Sequence, residues 1–167
     1  MARKISHLEK RFGKRGKKGD EGEKWLLKKL RESKQYDIVK DFSKEYKMQE
    51  LGIDGSVQKK NWKRPYYYDC KHNLFKKSNG TFQIYLEWTK KYSGKPGWFH
   101  TSSSNRIYHV SVKNNTSIFY DLKEMRERIR EQRDLGHVAV SIRKFKESYI
   151  MIEHDDPAFS DLLRFQY

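Results

Sequence analysis

Residues 66–72 (YYYDCKH) set an acid and a base two positions apart inside an aromatic-rich run whose composition predicts extended backbone. Alternate strand residues project from one face, so Asp69 and Lys71 are expected side by side. Asp54 lies fifteen residues upstream of Asp69, after the apolar approach Leu51-Gly52-Ile53, and is expected on the neighbouring strand. Carboxylates brought together in this way repel one another unless a proton or a cation joins them. Any fold for this chain has to supply that counterpart.

The flanking text predicts a regular alternation of elements. Residues 20–33 read as a first helix, with Trp25, Leu26, Leu27 and Leu30 on one face. Strands are expected at 36–42, 52–58 and 65–75. Ser78-Asn79-Gly80-Thr81 is a hairpin signal, because Asn-Gly accepts the positive φ of a tight turn. A strand over 81–89 follows, in which Phe82, Ile84, Leu86 and Trp88 alternate with Gln83, Tyr85 and Glu87. After a loop holding Gly94, Pro96 and Gly97, strands are expected at 106–112 and 116–120. Asp121 with Glu124 forms a capping-box pattern ahead of a helix over 122–133, whose apolar stripe is Leu122, Met125 and Ile129. A strand pair within 137–153 and a short terminal helix near 160–165 complete the prediction. No repeat or linker interrupts the chain. The expected organisation is a basic arm over 1–19 and one α/β domain over 20–167, with a mixed central sheet flanked by helices.

Composition narrows the function classes. With 35% hydrophobic and 35% charged residues, the core is expected to be lean and its packing rich in the 14% of aromatics. A formal charge of +15 calls for a polyanionic partner, nucleic acid before an acidic membrane surface. The single cysteine, Cys70, excludes an internal disulfide and a cysteine-based zinc site. No apolar run reaches the roughly 18 residues of a membrane span, and the basic N-terminus lacks a signal peptide's apolar segment. A soluble protein of a reducing, cytoplasmic-type compartment is expected.

The succession of a helix, a strand, a strand bearing Asp54 and a strand bearing Asp69-x-Lys71 resembles the PD-(D/E)xK nuclease superfamily, over roughly residues 16–90. Two departures from the family pattern stand out: Ile53 occupies the place of its Pro, and the middle carboxylate is Asp. The resemblance implies a restriction-endonuclease-like fold and a Mg2+-dependent endonuclease, with Mn2+ able to substitute, of the small phage-type, homing or junction-resolving kind. It implies Asp54 and Asp69 as metal ligands, with the backbone carbonyl of Cys70 completing the shell. Lys71 would position the nucleophile or stabilise negative charge. Gly19, Glu23, Leu26 and Leu30 fit the family's first-helix pattern, so Glu23 is carried over as an outer or second-metal ligand. The chemistry calls for these residue types independently. Mg2+ prefers oxygen ligands and keeps several waters, so two or three carboxylates suffice, and a neighbouring lysine can stabilise charge at a phosphodiester.

Plainer readings stand beside these. Asp54-Gly55 is a good turn dipeptide, Glu23 could close a capping box begun by Asp20, and Asp69 with Lys71 could be an exposed surface pair. His72 reads as a surface or packing histidine. Glu87 reaches the Lys71 face only if the hairpin loop shifts the strand register by one.

Phosphate contacts are expected from the arm (Lys14, Arg15, Lys17, Lys18), from the loop residues Lys59, Lys60, Lys63 and Arg64, and from the arginine-bearing helix 122–133. Trp62 within that loop could stack on a base or cap the core edge. Gly97-Trp98-Phe99 reads as a core anchor. The expected partner is DNA, duplex or branched, and symmetric cutting of two strands would require a dimer or higher oligomer. The competing class is a non-catalytic basic DNA-binding protein, which leaves the convergence of Glu23, Asp54 and Asp69 unexplained. A membrane-surface role is disfavoured by the narrow apolar stripe of the basic helix.

Overall fold

The computed structural model describes residues 14–142 and 144–167, so residues 1–13 of the expected arm lie outside the described residues. Helix α1 (Lys14–Glu32) is the first element of the described residues. Strand β1 (Ile38–Asp41), a short helix α2 (Tyr46–Glu50), β2 (Gly55–Gln58) and β3 (Tyr66–Lys71) follow. Then come β4 (Phe75–Lys76), β5 (Phe82–Thr89), the single-turn α3 (Trp98–Thr101), β6 (Arg106–Ser111) and β7 (Thr116–Asp121). Helix α4 (Leu122–Asp134), β8 (Ser141–Ile142), β9 (Ser148–Glu153) and β10 (Arg164–Phe165) close the chain.

Two sheets result. The first is six-stranded and mixed, in the order β1-β2-β3-β6-β7-β10. Among the described residues only β3 and β6 run parallel, with Asp69 opposite Ile107 and Lys71 opposite His109. The second is four-stranded and antiparallel, in the order β4-β5-β9-β8. One face of the mixed sheet receives α1, whose Leu26 and Leu30 bury against Val57, Tyr68, Cys70, Tyr108 and Val110. The other face receives the second sheet and α4. There Ile107, Ile118 and Tyr120 meet Ile84, Leu86, Ile150 and Ile152, together with Leu122, Met125 and Ile129.

The approach of α1 depends on Gly22. A Cβ at that position would lie 2.7 Å from the Cβ of His72 and 3.0 Å from Val110 Cγ2. His72 is thus a packing residue on the helix-covered face, on the side opposite Lys71. Gly55 plays a similar part at the start of β2, where a Cβ would fall 2.4 Å from both the Lys40 carbonyl oxygen and the Tyr68 hydroxyl.

Several expectations require correction. The first helix starts at Lys14 rather than residue 20, so the basic text over 14–19 is helical and Asp20 is a helix-interior residue, not a cap. The run 65–75 is not one strand. After Lys71 the chain leaves the mixed sheet and re-enters the other sheet as β4, with buried Leu74 between them. Asn73 holds that corner, its Nδ2 donating to the Tyr85 carbonyl at 3.1 Å and its Oδ1 meeting His109 Nδ1. Lys71 therefore has no register with β5. Glu87 pairs with Tyr149, and its Oε1 accepts from the Trp98 N–H at 3.0 Å, capping α3 rather than joining Lys71. The terminal helix is also absent. Residues 157–162 form turns, Phe159 and Leu163 drop into the core, and β10 pairs with β7.

Other readings agree with the fold. Asp121 accepts from the N–H groups of Lys123 and Glu124 at 2.9 and 3.1 Å, starting α4. Asn79 Oδ1 accepts from the Thr81 N–H at 3.0 Å while Gly80 takes a φ of +88°. Among the described residues no helix is long and apolar enough to cross a membrane.

Candidate active site

Asp69 is placed by the β3–β6 ladder. Because aligned residues of a parallel pair share a face, Asp69 follows Ile107 into the layer between the two sheets. It is 2% exposed. Lys71 enters the same layer beside His109, its Nζ 2.7 Å from Asp69 Oδ1 and 5.1 Å from the centre of the Trp98 ring. The other carboxylate oxygen, Asp69 Oδ2, is buried without a hydrogen-bond partner. An exposed surface pair is therefore excluded.

Asp54 reaches the same carboxylate from the end of β2. Its backbone N–H donates to the Tyr68 carbonyl at 2.8 Å, continuing the β2–β3 pairing past Gly55. Its Oδ2 accepts from the Cys70 N–H at 2.7 Å, and Gln49 Nε2 lies 3.4 Å from Oδ1. Asp54 lies close enough to Asp69 for the two carboxylates to repel each other and raise the Asp69 carboxyl. In extended backbone the N–H and C=O of one residue point to the same side. The Cys70 carbonyl accordingly faces Asp54, where β2 has already ended.

Glu23 stands above this end of the sheet on α1. It borders a cleft of about 680 Å³ with Cys70 and Lys71, and a second of about 380 Å³ with Asp20, Asp41 and Asp54. Burial, then repulsion from Asp54, Asp20 and Asp69, pushes its carboxyl up to about 8, against an opposing pull from Lys71. Asp69 is pushed up to about 7, by burial and by Asp54, although Lys71 works the other way. Burial alone would lower Lys71; Asp69 and Asp54 outweigh it and hold its ammonium above the ordinary range. Burial also drives the Cys70 thiol well up, so it is no ready thiolate.

Burial is the largest cause of both carboxyl shifts, and repulsion among the carboxylates adds to it. Among the described residues no three His, Cys, Asp or Glu side chains are gathered closely enough to share one metal ion. The fold does bring oxygen donors to one end of the sheet, in the Asp54–Asp69 pair and the Cys70 carbonyl. A hard cation that retains several waters suits such a set.

Residues behind the pair escaped the sequence reading. His109 Nε2 meets the Tyr120 hydroxyl at 3.0 Å, and its Nδ1 meets Asn73. Burial, reinforced by Lys71, lowers its imidazole to about 3, so it packs as a neutral ring. The available signal was a histidine two residues after Ile107, on the same face of its strand. Trp98, read as a core anchor, covers the Lys71 ammonium, while Phe99 beside it is the buried anchor.

The expected phosphate-binding residues divide. Lys14 and Arg15 lie on the first turn of α1, and Lys17 and Lys18 are exposed on it. Lys59, Lys60, Lys63 and Arg64 lie in the β2–β3 loop, at the opposite end of β3 from Lys71. Trp62 caps the core edge there, its ring 5.9 Å from Tyr36 and 4.9 Å from Tyr66, with Lys59 Nζ 5.6 Å away. On α4, Arg126 donates to the Phe99 and Ser102 carbonyls and Arg128 forms a two-bond pair with Asp161. Those two guanidinium groups are tied to the fold.

Comparison of the chain with protein-family models, with curated proteins and with solved structures found no match.

Proposed function

We propose that this chain is a metal-dependent DNA endonuclease on a restriction-endonuclease-like frame. The observation that carries the reading is the buried Asp69 carboxylate, with one oxygen on Lys71 and the other unpartnered next to Asp54. An orphaned buried acceptor costs about 1–3 kcal/mol, more when charged. A chain of net charge +15 retaining that cost beside a second carboxylate is best explained by a cation that sits there in function. The frame is consistent with the reading: a helix, an antiparallel three-strand meander and then a strand parallel to the third.

Asp54, Asp69 and the Cys70 carbonyl would hold the metal, with Glu23 as an outer carboxylate. A bound Mg2+ supplies charge neutralisation at the phosphate and a more acidic water. The chain's own part is clearer in its side chains. Lys71, pinned by Asp69 and by the Trp98 ring, presents a fixed ammonium to a phosphate oxygen or to the attacking water. Fixed charge in a poorly solvated site stabilises developing negative charge without reorganisation. Glu23 lines the open cleft beside Lys71, where it would serve as that outer carboxylate. The basic surface of α1 would bring the duplex or branched substrate to this end of the sheet.

The test is cleavage of supercoiled plasmid and of a labelled four-way junction, in magnesium or EDTA, by wild type and Asp69→Ala. Magnesium-dependent cutting that the variant lacks is expected. Binding without cutting, in magnesium and in manganese, would favour a non-catalytic DNA-binding protein instead.

A further inference from the structure

We infer that the cleft beside Lys71 receives an unpaired nucleobase, so that the substrate carries an unstacked nucleotide next to the scissile phosphate; this rests on the nuclease reading above. The cleft is about 680 Å³, enough for a nucleoside. Three rings from three adjacent strands form one side: Phe75 on β4, Tyr85 on β5 and Tyr149 on β9. Phe75 and Tyr149 each stand nearly perpendicular to Tyr85, with centroids 5.2 and 6.2 Å from it. The Tyr85 hydroxyl donates to Gln83 Oε1 at 3.0 Å and the Tyr149 hydroxyl donates to Glu147. Their rings are thereby oriented before any ligand arrives. Phe75 is 44% exposed, so part of its ring is open to the cleft.

The charges around the cleft say which part of a nucleotide enters. Lys18 and Lys71 line it beside the three rings, so a phosphate held by the lysines leaves the adjoining base to the rings. Lys18 Nζ also lies 5.5 Å from the Phe75 ring centre. A neighbouring groove of about 410 Å³ shares Lys18, His72 and Phe75 and adds Lys76 and Lys113. It gives the polyanionic strand a basic path away from the cleft. A base inside a continuous duplex offers its faces only to its neighbours, so these rings are reached only by an unpaired or extruded base.

The experiment is fluorescence anisotropy in EDTA, with a duplex carrying one unpaired nucleotide and the fully paired duplex of the same sequence. Wild type is expected to bind the bulged duplex about tenfold more tightly, the lower range for one base stacked on aromatic residues. Phe75→Ala should bring the two affinities to within about a factor of two. Phe75→Leu, which keeps apolar bulk without a ring, should behave the same way and guards against a folding defect. Equal wild-type affinities, or a preference unchanged in both variants, would overturn the inference. The readout needs no catalysis. A preference without cleavage in magnesium would sink the nuclease reading and keep the base site, and cleavage without preference would do the reverse.

Discussion

Lys71 Nζ lies 2.7 Å from Asp69 Oδ1, inside the layer between two sheets, with the carboxylate 2% exposed. A buried ion pair of this kind is a weak source of stability, because desolvation offsets the attraction. Removing one partner is another matter, since it strands the other charge.

Lys71→Met should therefore abolish cleavage and destabilise the fold by about 3–5 kcal/mol. The double variant Asp69→Asn, Lys71→Met should recover most of that stability and remain inactive. Urea unfolding of the three proteins separates the two effects. Full activity in Lys71→Met would reject its role.

Magnesium should raise the melting temperature of the wild-type protein. The increment corresponds to about 1.4 kcal/mol at ten times the dissociation constant. Asp69→Asn should remove the shift and Asp54→Asn should reduce it. Asp54→Asn can keep the acceptor for the Cys70 N–H, so its loss of binding would reflect charge rather than misfolding. Equal shifts in all three proteins would place the cation elsewhere.

His109 makes stability depend on acid in a defined window. Its folded value, about 3, lies below the unfolded value of 6.5, so the fold favours the neutral ring. Its contribution is fully present above pH 6.5 and is lost as pH falls towards 3. Between pH 7 and pH 5 the loss amounts to about 2 kcal/mol. Titrating carboxylates contribute as well, so the quantity to compare is the difference in pH slope between wild type and His109→Gln. Identical slopes would show that the ring titrates normally.

Deleting residues 1–13 removes four Lys or Arg ahead of α1 while leaving the helix whole. DNA affinity should weaken, and the slope of log affinity against log salt should flatten by up to roughly 0.9 for each lost phosphate contact. Measurement at three or more salt concentrations decides it. An unchanged slope would rule residues 1–13 out of phosphate binding.

Much of the local structure was legible because it rests on neighbours in sequence. The Asp121 cap, the Asn79-Gly80 turn, the alternation over 82–89 and the helical faces of Leu26 with Leu30 and of Leu122, Met125 and Ile129 are all short-range patterns. So was the pairing of Asp69 with Lys71, which follows from strand pleat alone. The start of α1 was missed because basic residues and isolated glycines are permissive in a helix that packing supports.

What the sequence by itself determined, then, was the two long helices, most of the longer strands with their faces, and the acid–base pair on β3. The tertiary structure alone decided that β3 ends at Lys71 and pairs in parallel with β6, and that the chain turns there into a second sheet. It thereby decided that Asp69 is buried rather than exposed and that Glu87 caps α3. Each of these depends on contacts between residues far apart in the chain. A strand's pleat says which side chains share a face, but only its long-range partners say whether that face meets water or another sheet.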